Sequence, residues 1–404
     1  MKSNELFNNL FSEYEKYREP QLSSEFIKHS EITNLLDEQK RKNLLRVEKL
    51  DESVEGKEIF SVVLGEGETK ILAWSQMHGD EPTATATIFD LLNFFCANDS
   101  FDNLRTNLLK KITFHFIPML NPDGAEKFQR ENAFNIDINR DALRIESNES
   151  KILWRYADKV DPDFAFNLHD QNSYYTVGRT NNTAAISLLA PPMNFVKSIN
   201  YVREQSMQVI LKIYETLSLF IPQNIARYNE DFEPRAFGDN FTKKGVSVIL
   251  IESGFYKNDM KKDYVRKLNF IALLSAFKSI AEKDYENIDY KKYFDIPENE
   301  ELLFDLLLRN LTLNHNGKNF TVDIGINREK CLDVNSSKFY YKSTIADLGD
   351  LSIFHGIEDY DMSGYEVRSE NILAVDEPAE FILIKNGKVK KEIVNGFIQH
   401  NINN

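Results

Sequence analysis

The stretch Met77-His78-Gly79-Asp80-Glu81-Pro82 decides how the chain is interpreted. It follows an apolar run at residues 70–76, typical of a buried strand, and it precedes residues 83–95, whose pattern favours a helix. Gly79 tolerates a tight turn and Pro82 suits the first position of a helix. An imidazole and a carboxylate at His78 and Glu81 can bind one metal ion from such a turn, although a solvated carboxylate that caps the turn fits the same spacing.

Composition and charge narrow the classes of function. The 404 residues suffice for two ordinary domains, or for one large α/β domain with an appendage. The net charge of −14 argues against nucleic acid and against an anionic membrane surface as partners. No apolar run reaches the roughly 18 residues of a membrane span. Because the N-terminus lacks an apolar leader and the two cysteines are far apart, we expect a cytoplasmic protein without a disulfide framework.

Strands alternate with helices up to about residue 283, and most of these strands are apolar on both faces. This pattern is typical of a sheet covered by helices on both sides. Short strand candidates separated by Asn-Gly turns follow, which predicts an all-β region. We therefore predict an α/β fold, a mixed open sheet flanked by helices, with a smaller C-terminal all-β domain. The predicted divisions are an N-terminal helical segment packed on the main domain at residues 1–45, the main α/β domain at 46–285 and the β-rich domain at 286–404.

Individual elements can be placed on the same grounds. Strands of the main domain are predicted at residues 44–47, 59–64, 70–76, 111–120, 163–168, 184–189 and 246–251. Helices are predicted at residues 5–17, from a capped start at Ser23, and at 83–96, 125–129, 152–160, 199–219 and 261–283. Residues 227–240 are predicted to be an irregular loop, and the β-rich region is predicted to contain separate strands at 302–308 and 311–314.

Four of the predicted strands end in residues that can do chemistry. One ends at His78 and Glu81, and the others end at Asn121, His169 and Glu252. Because ligands of an open α/β sheet bind beyond the carboxyl ends of its strands, we expect these side chains to lie close together. Two histidines and one glutamate with an open fourth position form a catalytic zinc shell. Glu252 is then a spare carboxylate that is placed to act as a base.

The ordered set of motifs resembles the zinc carboxypeptidase family, the M14 metallopeptidases. The matching motifs are the His-x-x-Glu of His78 and Glu81, the Asn-Pro-Asp-Gly of residues 121–124, Arg130 followed by Asp137-Ile138-Asn139-Arg140, the strand-end His169, and the late Glu252. The resemblance covers roughly residues 50–280 and implies that residues 46–285 form a zinc carboxypeptidase-like catalytic domain.

The resemblance implies a role for each matched residue. His78, Glu81 and His169 would bind one Zn²⁺ per chain. Glu252 would take a proton from water and deliver it to the leaving amine, and Arg130 would stabilise the oxyanion. The substrate's carboxylate would be held by Asn139 and Arg140.

Simpler interpretations stay open for several of these residues. Arg130 could be a surface residue, Asn139 and Arg140 could hold a loop, and Glu252 could be a buried group bonded to backbone amides. Asp170 fits a hydrogen bond to a metal-binding histidine, and it equally fits a turn cap.

The leading prediction is a zinc-dependent enzyme that cleaves the C-terminal amide bond of a short peptide with a free carboxylate. An N-acyl amino acid deacylase of the aspartoacylase type, a peptidase for unusual amide linkages and a non-catalytic binding module are the alternatives. The β-rich domain is interpreted as a packing or oligomerisation element, or as a wall that restricts the pocket to short substrates.

Overall fold

The computed structural model describes residues 3–41, 44–369 and 373–400, and these form two compact units. The first unit comprises the described residues of Met1–Asn172 and Ala184–Asn299, and the second those of Ser173–Thr183 and Glu300–Asn404. The division between the two compact units falls after Asn299. The boundaries at residues 45 and 285 stay predictions about independently folding domains.

A mixed sheet forms the centre of the first unit. Its strands are β1 Arg46–Glu52, β2 Glu58–Leu64, β3 Thr69–Trp74, β4 Ile112–Ile117, β5 Phe164–Asp170, β7 Ile186–Leu189, β8 Ile225–Arg227 and β9 Ser247–Ser253, while β6 Tyr175–Val177 belongs to the second unit. Among the described residues the eight strands follow the order β1-β2-β4-β3-β5-β9-β7-β8. The inner strands β4, β3, β5 and β9 run parallel, while β1, β2 and β7 run antiparallel to a neighbour. The prediction of a mixed open sheet is confirmed.

Helices cover both faces of this sheet. They are α1 Ser3–Glu13, α2 His29–Gln39, α3 Thr83–Cys96, α4 Asp102–Lys111, α5 Pro122–Lys127, α6 Asn148–Val160, α7 Tyr201–Leu217, α8 Phe237–Lys244 and α9 Asp263–Glu282. On one face, Phe166 and Ile249 belong to the same core as α3, α7 and α9. On the other face, Ala165 and Val248 share a core with α6 and α8. The metal-binding candidates lie on this second face.

Three sequence predictions about helices need correction. The helix predicted from Ser23 begins at His29, because the Ser23 hydroxyl accepts a bond from the Glu25 N–H in a local turn. The carboxylate of Glu31 instead accepts the Lys28 N–H and fixes the true start of α2. Residues 227–240 are not irregular throughout, since α8 begins at Phe237 within them. Helix α4 was not predicted.

A buried ion pair ties the N-terminal segment to α3 and α9. Asp90 and Arg266 have fully buried side chains, and Arg266 Nε donates to Asp90 Oδ2 over 2.7 Å. Asp90 also accepts bonds from the Tyr14 hydroxyl and the Glu19 N–H, both at 2.7 Å. Arg266 donates to the carbonyls of Leu22 and Glu19 at 2.8 and 3.0 Å. Every charge in the cluster is therefore compensated by a partner.

Replacing Asp90 by asparagine is expected to destabilise the protein strongly. The substitution leaves the Arg266 guanidinium buried without a counter-charge, which typically costs about 3–5 kcal/mol. The measurement is the urea midpoint of the purified variant. Asp37→Asn is the matched control, because Asp37 pairs with Lys40 on an exposed surface and its loss should leave the midpoint unchanged. Equal midpoints for the two variants would contradict the structural role of the pair.

The second unit is β-rich, as predicted. Within its described residues, β11 to β13 and β15 to β18 pair in the order β13-β12-β11-β15-β16-β17-β18, with β14 on β11, and β10 pairs with β6. Its strands are β10 Asn299–Glu301, β11 Leu303–His315, β12 Lys318–Asp333, β13 Lys338–Gly349, β14 His355–Asp361, β15 Glu366–Arg368, β16 Phe381–Lys385, β17 Lys388–Val394 and β18 Phe397–His400. The two strands predicted at 302–308 and 311–314 are one strand, β11. Its pairing with β12 shifts register at a bulge between Leu308 and Leu311 and then continues.

In the described ranges, no helix is both long enough and apolar enough to cross a membrane.

Candidate active site

The turn between β3 and α3 holds His78 and Glu81. Gln76 adopts a left-handed conformation with φ of 49°, and its side chain donates to the Gly79 carbonyl and accepts from the Thr85 hydroxyl, both at 2.9 Å. A Cβ on Gly79 would lie 2.1 Å from the backbone of Gly124. Gly79 is therefore required for close approach of two backbones, and the sharp bend is made at Gln76.

Asn121 connects this turn with the segment that carries Arg130. Its side-chain oxygen accepts the Gly124 N–H at 2.9 Å, which starts α5. Its amide group donates to the carbonyls of Met77 and Glu131 at 3.3 and 3.1 Å. The Asn-Pro-Asp-Gly motif thus brings the arginine segment against the turn that carries His78 and Glu81.

His78, Glu81 and His169 converge on one buried point. Each offers one donor atom, and the three atoms lie within 4.8 Å of one another. The Nδ1 atoms of the two histidines are 3.2 Å apart. The carboxylate of Glu81 reaches both rings, with Oε1 at 2.7 Å from His78 Nδ1 and Oε2 at 2.8 Å from His169 Nδ1.

This donor set fits a zinc ion. Two nitrogens bound to one tetrahedral zinc at about 2.0–2.1 Å lie about 3.3 Å from each other, close to the spacing observed. Burial lowers the pKa of His169 despite the opposing charge of Glu81. At His78 burial is outweighed by the Glu81 and Asp137 carboxylates, which raise its pKa to about 9, so the two rings differ in their affinity for a proton.

Asp137 and Arg130 surround His78. The Nε2 of His78 lies 3.2 Å from Asp137 Oδ1, so the carboxylate fixes the ring with Nδ1 directed at Glu81. Arg130 Nε donates to Asp137 Oδ2 at 3.1 Å, and Arg130 Nη1 lies 3.1 Å from His78 Nδ1. The side chain of Arg130 is 40% exposed. It therefore faces both the group of His78, Glu81 and His169 and the solvent.

Glu252 lies one strand away from His169. The two residues are direct partners in the parallel pairing of β5 and β9, so their side chains project from the same face of the sheet. Glu252 is only 8% exposed. Burial, and next the negative charge of Glu81, raise the pKa of Glu252 well above its usual value. A carboxyl group with a raised pKa next to a metal-binding group is suited to accept and return a proton.

Asp170 does not contact the ring of His169. Its Oδ2 accepts from the Thr83 hydroxyl at 2.5 Å and from Lys262 Nζ at 3.1 Å. Its N–H donates to Glu81 Oε2 at 3.1 Å. The expected hydrogen bond from Asp170 to the candidate ligand His169 is therefore not seen among the described residues. The Asp170 N–H instead supports a second candidate ligand, Glu81.

Asn139 and Arg140 lie in a short helical turn next to α8. Asn139 Oδ1 accepts the Phe237 N–H at 3.0 Å, and Arg140 Nη1 donates to the Asn139 carbonyl at 2.9 Å. Arg140 Nε lies 3.3 Å from Glu233, whose carboxylate is also bound by Arg235 Nε and Nη2 at 2.9 and 2.7 Å. Two guanidinium groups thus share one carboxylate, and the trio keeps a net positive charge.

Three site residues were not predicted. Asp137 belonged to a recognised motif, so its proximity to His78 could have been found from the motif alone. Glu233 lay in a segment interpreted as a loop, and Lys262 opens α9 without a distinguishing pattern. These two residues act through contacts that are distant in sequence, which spacing does not reveal.

Comparisons with known proteins agree with this geometry. Residues 32–200 match the model of the zinc carboxypeptidase family, peptidase M14. Carboxypeptidase SOL1 of Arabidopsis thaliana is 40% identical over 65 residues, which are 16% of this chain and 13% of the relative. Carboxypeptidase D of Mus musculus is 30% identical over 114 residues, which cover 24% of this chain and 8% of the relative.

A solved structure supports the fold. A metallo-carboxypeptidase from Burkholderia cenocepacia superposes with a TM-score of 0.52 at 17% identity, over 64% of this chain and 70% of the other. The resemblance to the zinc carboxypeptidase family that the motifs predicted is therefore supported over residues 32–200, and the solved structure supports the fold. The matched stretches span only 13% and 8% of the length of the two sequence relatives.

Proposed function

We propose that this chain is a zinc-dependent hydrolase that cleaves the C-terminal amide bond of a short peptide with a free carboxylate. The observation that carries the proposal is the convergence of three metal-binding side chains with a cation and a carboxyl group. His78, Glu81 and His169 form the metal-binding group, Arg130 lies against it, and Glu252 projects beside it from the next strand.

One Zn²⁺ per chain would be held by His78, Glu81 and His169. When bound, zinc lowers the pKa of a water molecule toward neutrality and polarises a carbonyl group. The match between donor spacing and zinc geometry supports this assignment, as does the buried position of all three side chains.

Glu252 would transfer the proton of the attacking water, and Arg130 would stabilise the negative charge on the carbonyl oxygen. Glu252 accepts a proton from the attacking water and donates it to the leaving amine, a task for which its raised pKa is suited. Arg130 presents Nη1 3.1 Å from His78 Nδ1, so its positive charge would stabilise an oxyanion that forms against the metal-binding group. Asp137 holds Arg130 and His78 at once and so fixes the position of the charge.

Asn139 and Arg140 would bind the substrate's terminal carboxylate. The net positive charge of Arg140, Arg235 and Glu233 attracts an anion, although Glu233 already contacts the Nε side of Arg140. The substrate's carboxylate would therefore bind Arg140 beside the Glu233 carboxylate. This arrangement favours a small substrate carboxylate that approaches Arg140 in one orientation.

The test is turnover by the full-length, zinc-loaded protein. Free peptides, the same peptides with amidated C-termini, and N-acyl amino acids are supplied separately, and released amino acids are quantified. Release from free peptides alone supports the proposal. Release only from N-acyl amino acids would identify a deacylase instead. No release from any substrate, with zinc bound, would favour a non-catalytic binding module.

Replacing Arg140 by glutamine is expected to raise KM for free peptides with a smaller change in kcat. A charge-assisted bond to a carboxylate is lost, so the expected increase is on the order of 10- to 100-fold. Steady-state kinetics measure both constants.

Arg155→Gln is the matched control for this substitution, because Arg155 pairs with Asp51 on the exposed surface. An unchanged KM in Arg140→Gln would show that another group binds the carboxylate.

A further inference from the structure

We propose that Lys262 is a positioning residue that fixes the end of β5 relative to the end of β9, and thereby sets His169 against Glu252. The inference rests on the proposed function, since it concerns the geometry of that same site. Lys262 immediately precedes α9 and does not belong to any of the motifs by which the site was predicted.

The two strands end together at the site. His169 pairs with Glu252, and Asp170 pairs with Ser253, as the final partners of β5 and β9. One more bond, from the Gln171 N–H to the Ser253 carbonyl at 3.0 Å, closes the pairing. The relative position of the metal-binding histidine and the carboxyl group therefore depends on how these last residues are held.

Lys262 donates hydrogen bonds to the ends of both strands. Its Nζ donates to the Ser253 carbonyl on β9 at 2.9 Å. It also donates to Asp170 Oδ2 on β5 at 3.1 Å and to the Gln171 carbonyl at 3.3 Å. An ammonium group has three N–H bonds, and all three are used here. Lys262 thus acts as a bridge between strands and retains no N–H for a substrate.

The bridge extends to a second metal-binding residue. Asp170 Oδ2 also accepts from Thr83, the first residue of α3, and the Asp170 N–H donates to Glu81 Oε2 at 3.1 Å. Removing the lysine charge would leave the buried Asp170 carboxylate without its cation and would release the end of β5. Both His169 and Glu81 would then lose orientation.

The backbone conformation of Lys262 also supports a positioning role. Its φ of 57° lies in the left-handed region, which side chains other than glycine rarely adopt. Such a conformation persists only where the surroundings hold it. The Lys262 N–H donates to the Asp259 carbonyl at 3.0 Å, so the backbone is held at this position as well as the side chain.

The experiment compares Lys262→Met with Lys262→Arg in the full-length protein. Methionine keeps the length of the side chain but removes the charge, whereas arginine restores donors. Zinc affinity is measured by competition with a chelator, the cobalt-substituted protein is examined by visible absorption, and kcat and KM are measured on free peptides.

We expect Lys262→Met to bind zinc on the order of 10- to 100-fold more weakly and to lose kcat by a similar factor, with KM unchanged. The cobalt absorption bands should shift, because two metal-binding residues are reoriented. Lys262→Arg should recover most of both constants. Lys278→Met on the same helix is the matched control, since Lys278 pairs with Glu282 and this substitution should leave zinc affinity, the cobalt spectrum, kcat and KM at the wild-type values.

Three outcomes would overturn the inference. The first is wild-type zinc affinity and kcat in Lys262→Met. The second is a raised KM alone, which would place Lys262 at the substrate. The third is equal loss in the methionine and arginine variants together with a lower unfolding midpoint, which would reduce the role to general stability. If the wild-type protein hydrolyses nothing, the proposed function fails, while zinc affinity and the cobalt spectrum still decide the role of Lys262.

Discussion

His169→Ala is expected to lose bound zinc and hydrolytic activity together. His169 Nδ1 lies 3.2 Å from His78 Nδ1 and 2.8 Å from Glu81 Oε2, so its removal takes away one of three converging donors. Substitution of a residue that merely orients a ligand weakens metal binding about 10- to 100-fold, and loss of the ligand itself should weaken it further. Metal content per chain, measured on the purified protein after dialysis, checks the first part.

The same measurement on His78→Ala should give the same result, because each ring contacts a different oxygen of the Glu81 carboxylate. His29→Ala serves as the matched control, since His29 binds the Glu58 carbonyl on a different part of the unit and should leave about one zinc per chain. If either site variant retains zinc at the wild-type ratio, the metal is bound elsewhere and the proposed function loses its basis.

The parts of the site that follow strand ends could be predicted from sequence. Apolar runs stop sharply before His78, His169 and Glu252, and parallel strands place their carboxyl ends at one edge of a sheet. The position of each polar residue at the site therefore follows from the point at which its apolar run ends.

The contacts that tune the site could not be predicted in this way. Lys262 reaches Asp170 across 92 positions of the chain, and Glu233 reaches Arg140 from a segment interpreted as a loop. Such pairs carry no local periodicity, because tertiary packing alone brings them together. Helix α8 was missed for a related reason: its eight residues are short for a periodic signal, although Phe237 and Phe241 pack one turn apart.

Glu252→Gln is expected to abolish most activity while leaving the metal in place. Glutamine has nearly the same shape but cannot accept and return a proton at neutral pH, and general acid–base catalysis typically contributes about 10²–10⁴-fold. Glu252 stands outside the converging donor group of His78, Glu81 and His169, so zinc content should stay at the wild-type value. The measurements are kcat on free peptides and metal content on the same preparation.

Measuring both zinc content and kcat distinguishes the role of Glu252 from that of the proposed metal ligands. His169→Ala should lose both metal and activity, whereas Glu252→Gln should lose activity alone. Glu58→Gln is the matched control, because Glu58 lies exposed at the start of β2 and should change neither. Zinc loss in Glu252→Gln would make Glu252 a ligand rather than a base. Full activity with full zinc would assign the proton transfer to a different group, and Arg130, which remains protonated, could not supply it.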